Sequence, residues 1–284
     1  MKIKVLLPAL FMTVAVFVNG RSALAADTPA SAPSSIQDLL VTPTRIVFDG
    51  EMRTAELALV NRSNTAHSYA LSFVQCRMSD SGEIKEIDAT APADPQERFA
   101  DSLVRFSPRR VILEPRQVQM VRMMLRKPAD LAEGEYRSHL SFRLIPTAEN
   151  AVKPDSVSRG IQIKLIPIYG VTIPVIVRHG SLTATTRLSG LRFDTKGLHF
   201  TIEREGSRST YGDLVVQWKG TGKAVTVGQM NGVAVYTPNP KRTVSMALSP
   251  PKGVELRGGE LTVRYIAKEN DTEQLITEGK IAVL

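Results

Sequence analysis

Runs in which every second residue is apolar recur along this chain, and no long segment shows the period of 3.6 residues that marks an amphipathic helix. In one such run, Tyr136, Leu140, Phe142 and Leu144 alternate with arginine, histidine and serine. A period of two is typical of a half-buried antiparallel strand. Because glycine, proline, asparagine and aspartate separate these runs, we predict an all-β chain rather than an α/β one, with one short helix near residues 94–102.

The first 25 residues have the composition of a secretory signal peptide. Two lysines precede an apolar run of 14 residues from Val5 to Val18, and small residues stand at Ala23 and Ala25. We therefore predict export and cleavage after Ala25. A retained membrane anchor is the alternative, but the run is shorter than the roughly 20 residues that a spanning helix needs. Residues 26–38, rich in alanine, proline and serine, are expected to form a flexible N-terminus of the mature chain.

Charge and cysteine content exclude several classes of function. The formal net charge is +8, and loss of Lys2, Lys4 and Arg21 with the signal peptide leaves +5. No run of lysine and arginine is interleaved with aromatic residues, so nucleic-acid binding is not expected. The single cysteine, Cys76, precludes an intrachain disulfide, and we expect it to be a buried structural thiol.

No arrangement typical of an enzyme is present in the sequence. The four histidines lack a spacing suited to zinc, and there is no glycine-rich phosphate loop and no nucleophile elbow. Ser207-Arg208-Ser209 with Asp213 is better explained by a turn than by a catalytic group. We therefore predict no enzymatic activity, no metal, no cofactor and no small-molecule substrate.

The mature length of about 259 residues suits two domains of ordinary size. A boundary is indicated near Arg178–Ser181, so we expect one domain at 39–179 and a second, all-β domain at 180–284. In the second domain, strands are predicted at 198–203, 213–219, 225–227, 233–236, 243–248, 261–267 and 275–283.

The segment from Ile161 to Val177 is unusually long and apolar for one strand. Its nine odd-numbered positions are all nonpolar or aromatic, and this register persists for 17 residues, whereas strands usually have 3–10. Two prolines within it place the strand at an edge or at bulges. An apolar edge invites another chain to pair with it. Coverage of both faces by the chain's own sandwich is the alternative.

The segment from Thr42 to Gly50, Thr-Pro-Thr-Arg-Ile-Val-Phe-Asp-Gly, resembles the first strand of periplasmic pilus chaperones of the chaperone–usher family. The order of the following segments is similar too: strand-like runs at 55–61 and 68–74, a proline-punctuated middle at 106–125, and a strand at 135–146. The resemblance covers roughly residues 39–179, and the second half only by strand number and order. It implies two immunoglobulin-like β-sandwich domains in a boomerang arrangement.

The resemblance also implies a set of binding residues. In that family an arginine of the first strand holds the C-terminal carboxylate of a pilin subunit, and Arg45 matches this arginine. The last strand of the first domain inserts alternating apolar side chains into an incomplete pilin, and these correspond to Ile161, Ile163 and Leu165. A lysine late in that strand usually joins the arginine, but the alignment puts the neutral Thr172 there. The anchor therefore depends on Arg45 more than is usual in the family, or on a cation elsewhere in the chain.

The function implied by the resemblance is that of a periplasmic chaperone. Such a protein stabilises pilus subunits by donor-strand complementation and delivers them to an outer-membrane usher, so pilin subunits and the usher are its expected partners. Exposed edge strands would also allow self-association. The alternative is an exported structural subunit or adhesin of a surface fibre, although residues 27–35 lack the alternation of a donor extension. A carbohydrate-binding sandwich would need exposed aromatic residues, and Trp218 is the only tryptophan.

Overall fold

Strands form the regular secondary structure in the part of the chain that is described. The computed structural model describes residues 38–88, 90–92, 94–146, 170–269 and 272–283. The all-β prediction is confirmed. The helix expected near 94–102 is wrong, because Asp94 instead closes a turn: its carbonyl accepts from the Glu97 amide at 3.0 Å and its carboxylate from the Gln96 amide at 2.8 Å.

In these same residues, no helix has the length and apolarity to cross a bilayer.

The strands that precede Gly180 form two large sheets and one hairpin within the described ranges. One sheet has the order β1-β3-β9-β7, the other has the order β2-β11-β10-β4-β8, and β5 pairs with β6. Their bounds are β1 Leu39–Thr42, β2 Ile46–Phe48, β3 Thr54–Asn61, β4 His67–Val74, β5 Cys76–Met78, β6 Ile84–Glu86, β7 Val104–Ser107, β8 Arg110–Leu113, β9 Val118–Leu125, β10 Gly134–Leu144 and β11 Gly170–His179. We call this pair of sheets the first sandwich.

The strands that follow Gly180 form a second pair of sheets. Among the described residues their orders are β12-β13-β16 and β15-β14-β17-β18, the arrangement of an immunoglobulin-like sandwich. The bounds are β12 Ala184–Asp194, β13 Gly197–Gly206, β14 Thr210–Lys219, β15 Val225–Val235, β16 Lys241–Met246, β17 Glu260–Glu269 and β18 Thr272–Ala282. We call this pair the second sandwich. The domain bounds at 179 and 180 stay a prediction.

Strand β10 is more deeply buried than its alternation predicts. Leu140 and Phe142 are fully buried in the first core, as expected, but Arg137 and His139 on the other face are buried as well. The reason lies in the second sandwich: the Tyr236 ring packs 4.6 Å from the Arg137 guanidinium and edge-on against His139. The prediction of a half-buried strand is therefore wrong for β10, because a distant segment covers its polar face.

Strand β2 pairs in parallel with β11, and this pairing directs side chains to two different cores. Phe48 and the opposite Val177 are fully buried in the first core. Ile176 and Val47, which are one residue out of phase, pack in the apolar cluster of the second sandwich. Because successive side chains of a strand point to opposite faces, the outer face of the β2–β11 pair is turned towards the second sandwich.

Two strands of the second sandwich differ from the prediction. β15 is continuous where two separate runs were expected, and β12 was not predicted. Both are edge strands of their sheets, and much of β12 is partly exposed, so its alternation signal is weak. In β15 the apolar residues lie at the two ends, and the middle, Gly228 to Gly232, contains Met230 as its one apolar residue, so the sequence indicates two runs. The predicted signal peptide at 1–25, residues 26–37 of the predicted tail, and Ile161, Ile163 and Leu165 lie outside the described residues.

Candidate functional site

A cavity of about 520 Å³ lies between the β2–β11 pair and the second sandwich. Arg45, Val47 and Asp49 border it, because they alternate with the core-facing residues of β2 and share its outer face. Arg178 borders it too, since it lies two residues beyond Ile176 on the same face of β11. The geometry of the strand pair thus brings charged residues from its two members to one cavity.

The opposite wall of the cavity includes Arg208 and Tyr211, at the turn between β13 and β14 and at the start of β14. The interpretation of Ser207–Ser209 as a turn agrees with this position. The turn is held from inside by Arg204, which is only 5% exposed. Its guanidinium donates hydrogen bonds to the backbone carbonyls of Asn239, Gly206, Arg208 and Pro238. The position of Arg208 is therefore fixed by a buried network.

Positive charge predominates around the cavity. Among the described residues that border it, the charged ones are Arg45, Arg178, Arg208 and Asp49. The carboxylate of Asp49 is already engaged, with Oδ2 2.8 Å from Nη1 of Arg178 and Oδ1 accepting from the Gly50 amide. Burial raises the pKa of Asp49, but the hydrogen bond and charge of Arg178 outweigh this, so that its pKa lies below the ordinary value. An excess of positive charge in a concave site attracts anions.

Glu135 links the two sandwiches behind the cavity. Its side chain is fully buried, and Oε2 accepts a hydrogen bond from Nε of Arg178 at 3.1 Å. Its other oxygen accepts hydrogen bonds from the backbone amide of Ser209 at 3.1 Å, from the Ser209 hydroxyl, and from the Thr237 hydroxyl at 3.3 Å. Arg178 is therefore paired through Nη1 and Nε and serves as part of the structural link.

Arg45 is in a different condition, because its Nε and Nη2 are shielded from solvent and have no hydrogen-bond partner among the described residues. Its guanidinium lies 4.4 Å from the centre of the Tyr211 ring. The nearby Tyr236 hydroxyl supplies no compensating charge, since burial raises its pKa in spite of the cations of Arg45 and Arg137 and of a hydrogen bond from Arg45. Nε and Nη2 lie on one edge of the guanidinium, where two parallel N–H groups match a carboxylate.

A carboxylate that entered the cavity would relieve an unfavourable state of Arg45. An unpaired donor that is shielded from water costs about 1–3 kcal/mol, and more when it is charged. Both nitrogens are shielded from solvent, and the Arg45 side chain borders the cavity. Chemically, the arrangement is suited to bind an anion.

Thr172 lies on the same face of β11 as Ile176, but further from the cavity. It is exposed and pairs with Ser141 of β10. In the parallel register Ile46, which follows Arg45, pairs with Val175, and Thr172 lies three residues, about 10 Å, before Val175 along the strand. It is not among the described residues that border the cavity. Its part in the anchor stays a prediction, as does that of Arg45, and the donor residues Ile161, Ile163 and Leu165 lie outside the described ranges.

Several residues around the cavity were not predicted from the sequence. Glu135, Ser209 and Arg208 lie in a strand and a turn whose local patterns carry no sign of a site. Arg178 is a cation at the end of the long apolar strand, and its carboxylate partners are distant in sequence. The burial of Glu135, which marks it as a paired carboxylate, is visible only in the structure.

No protein-family model and no curated protein matches the sequence. Among solved structures, the chain is similar to the YadV chaperone (12% identity, 87% of this chain and 100% of that chain, TM-score 0.43). It is also similar to the CupB2 chaperone of Pseudomonas aeruginosa (13% identity, 86% and 100%, TM-score 0.42). A third is the CsuC–CsuE chaperone–tip adhesion subunit pre-assembly complex of Acinetobacter baumannii (10% identity, 84% and 98%, TM-score 0.46).

These three structures include chaperones, the class of protein that the Thr42–Gly50 segment resembles. Because the TM-scores are below 0.5, a function for this chain has to be supported by its own residues.

Proposed function

We propose that the chain is a periplasmic chaperone that binds pilus subunits by donor-strand complementation and delivers them to an outer-membrane usher. The observation that carries the proposal is the pair of shielded, unpartnered donors of Arg45 at the border of a positively charged cavity. Every protein chain ends in a carboxylate, so such a site suits the C-terminus of a subunit. The predicted export signal is consistent with a periplasmic location.

The carboxylate anchor would set the register of a subunit strand along β11. A slip of one residue turns every side chain of a strand to the opposite face, so strand addition needs a fixed end point. Arg45 directly precedes Ile46, which pairs with the buried Val175 of β11. An end point at Arg45 and main-chain pairing along the strand would together determine which subunit residues meet which chaperone residues.

The apolar contribution would come from Ile161, Ile163 and Leu165. In sequence these residues are in phase with Ile173 and Val175, which are buried in the first core. Full burial of a leucine or isoleucine side chain contributes about 1.5–3 kcal/mol, so three of them in a subunit groove would contribute roughly 5–9 kcal/mol. This exceeds the contribution of a single charged anchor, which would mainly supply register and specificity.

The anchor is tested by capture of a pilin. A tagged mature chain is co-expressed with a candidate pilin, chosen by screening the proteins encoded beside its gene, and the captured pilin is quantified. Arg45→Gln should reduce affinity about tenfold to a hundredfold, because hydrogen bonds to a charged group contribute about 1.5–3 kcal/mol. The matched control is Arg122→Gln, at a side chain that is 82% exposed and paired with Glu56. Undiminished capture by the Arg45 variant would eliminate the anchor.

Donor-strand complementation is tested by a separate change. Ile163→Asp would place a charge in the subunit groove, and we expect capture to be abolished while the melting temperature of the free protein stays near that of the wild type. Thr172→Ala should leave capture unchanged, because a neutral hydroxyl contributes no charge to the anchor. If Ile163→Asp captures subunits as well as the wild type does, the strand belongs to the core of this protein and does not complete a subunit.

A further inference from the structure

Arg208, like Arg45, has a shielded side-chain donor without a hydrogen-bond partner, and this suggests a ligand. It borders the same cavity, from the second sandwich, and its Nε is shielded from solvent without a hydrogen-bond partner among the described residues. Its charge is close enough to act on Asp49, whose pKa it helps to lower. The two oxygens of Asp49 are nevertheless taken up by Gly50 and Arg178. Nε of Arg208 therefore remains a free donor on a charged group.

Arg178 cannot fill the same role, although it also borders the cavity. Its Nη1 and Nε are committed to Asp49 and to the buried Glu135, and its side chain is only 11% exposed. Releasing it for a ligand would leave a buried carboxylate without its cation, which is strongly unfavourable. Of the three arginines that border the cavity in the described residues, Arg45 and Arg208 are the two with shielded and unpartnered nitrogens.

The main chain holds Arg208 in place independently of its side chain. Its amide donates to the carbonyl of Thr183 at 3.1 Å, and its carbonyl accepts from Arg204 at 3.2 Å. The next residue, Ser209, donates to the buried carboxylate of Glu135. These contacts fix the backbone from which the Arg208 side chain extends, so that binding does not have to order the turn itself, which lowers that part of the entropic cost of binding.

We propose that Arg208 is the second cation of the carboxylate site, so that the C-terminus of a pilin is held by Arg45 from the first sandwich and Arg208 from the second. This inference rests on the proposed function. It assigns to the second sandwich the charge that Thr172, a neutral residue on β11, cannot supply. Two guanidinium groups on one carboxylate leave few of its lone pairs unsatisfied, and the carboxylate offsets part of the repulsion between the arginines around the cavity.

The experiment compares two forms of one peptide. The probe is a synthetic peptide of the last ten residues of the co-purified pilin, prepared as the free acid and as the C-terminal amide, and its binding to the full mature protein is measured by calorimetry. The wild type should prefer the acid at least about tenfold. Arg208→Gln should lower the affinity for the acid by about tenfold to a hundredfold and leave that for the amide unchanged.

Two further variants make the result specific. Arg257→Gln removes the same charge from the second sandwich at a side chain that is 87% exposed, and it should leave the acid preference intact. The double variant Arg45→Gln/Arg208→Gln should lose less than the product of the two single losses, because both groups hold the same carboxylate. The melting temperature of each variant is measured to show that the protein is folded.

The outcomes separate this inference from the proposal on which it depends. If the wild type prefers the acid, Arg45→Gln removes the preference, and Arg208→Gln behaves like Arg257→Gln, then Arg208 is not part of the anchor but the anchor at Arg45 stands. If the wild type binds acid and amide equally, the anchor at Arg45 and the role of Arg208 are both refuted. If inorganic phosphate binds as tightly as the acid and depends equally on Arg208, the site takes free anions and the assignment to a peptide carboxylate is overturned.

Discussion

Replacing Glu135 by glutamine tests whether one buried carboxylate holds the two sandwiches together. The glutamine keeps the shape of the side chain, and its Oε1 can still accept hydrogen bonds from Ser209. Its amide group, however, faces Nε of Arg178, so a donor meets a donor where the carboxylate accepted at 3.1 Å. Arg178 retains Asp49 as a partner at 2.8 Å.

The expected cost follows from the burial of the pair. Removing one partner of a buried ion pair costs about 3–5 kcal/mol. Because Asp49 still compensates Arg178 and the contacts to Ser209 persist, we expect a loss at the lower end, about 3 kcal/mol of unfolding free energy. For a chain of this size, each kcal/mol shifts the melting temperature by about 2–4 °C, so the variant should melt roughly 6–12 °C lower.

Urea denaturation with two probes measures this loss. Trp218, the only tryptophan, lies in β14 and reports on the second sandwich, whereas far-ultraviolet circular dichroism reports on both sandwiches. The two curves should coincide in the wild type and separate in Glu135→Gln, because the link between the sandwiches is weakened.

The control is Glu255→Gln, at a side chain that is 81% exposed, which should stay within about 0.5 kcal/mol of the wild type. A Glu135→Gln protein that unfolds within the same margin, with coincident curves, would refute the reasoning.

Three further predictions concern buried residues of strands that precede Gly180. Burial, and then the charge of Arg137, lower the pKa of His139 to about 3. In the unfolded chain the His139 side chain binds a proton near pH 6.5, whereas in the folded chain it stays neutral. The free energy of unfolding should therefore fall as the pH drops from 6.5 towards 3, by up to about 1.4 kcal/mol per pH unit. The fall should be less steep in His139→Gln. Urea midpoints of the wild type and of His139→Gln at pH 5 and 6 measure this. An equal change in midpoint between the two pH values in both proteins would contradict it. Burial raises the pKa of Cys76 to about 11, so its thiol should react with Ellman's reagent at pH 8 only on unfolding, and rapid labelling of the native protein would show otherwise. Phe142→Ala, at a fully buried position, should lower the unfolding free energy by about 3–5 kcal/mol in urea titrations, and a loss below about 1 kcal/mol would contradict the packing described for β10.

The strands of the interior could be predicted from the sequence because their signal is local. In β13 and β14, alternate residues face the core, so apolar and polar side chains follow each other within a few positions. The edge strand β12 gave no comparable signal, since an edge is partly solvated and needs fewer apolar residues, and β15 was predicted only at its two ends. The motif around Arg45 is local as well, and residues 42–50 are enough to indicate the candidate anchor.

What only the tertiary structure decided is the set of partners around that arginine. The pairing of Glu135 with Ser209, and the approach of Arg208 to the cavity of Arg45, join segments that are far apart in sequence. Periodicity describes which face of a strand a residue occupies, and it contains no information on which distant segment covers that face. The same reason explains the burial of His139 beneath Tyr236, and it explains why the sequence indicated that a cation was missing beside Arg45 but could not identify Arg208 as the candidate.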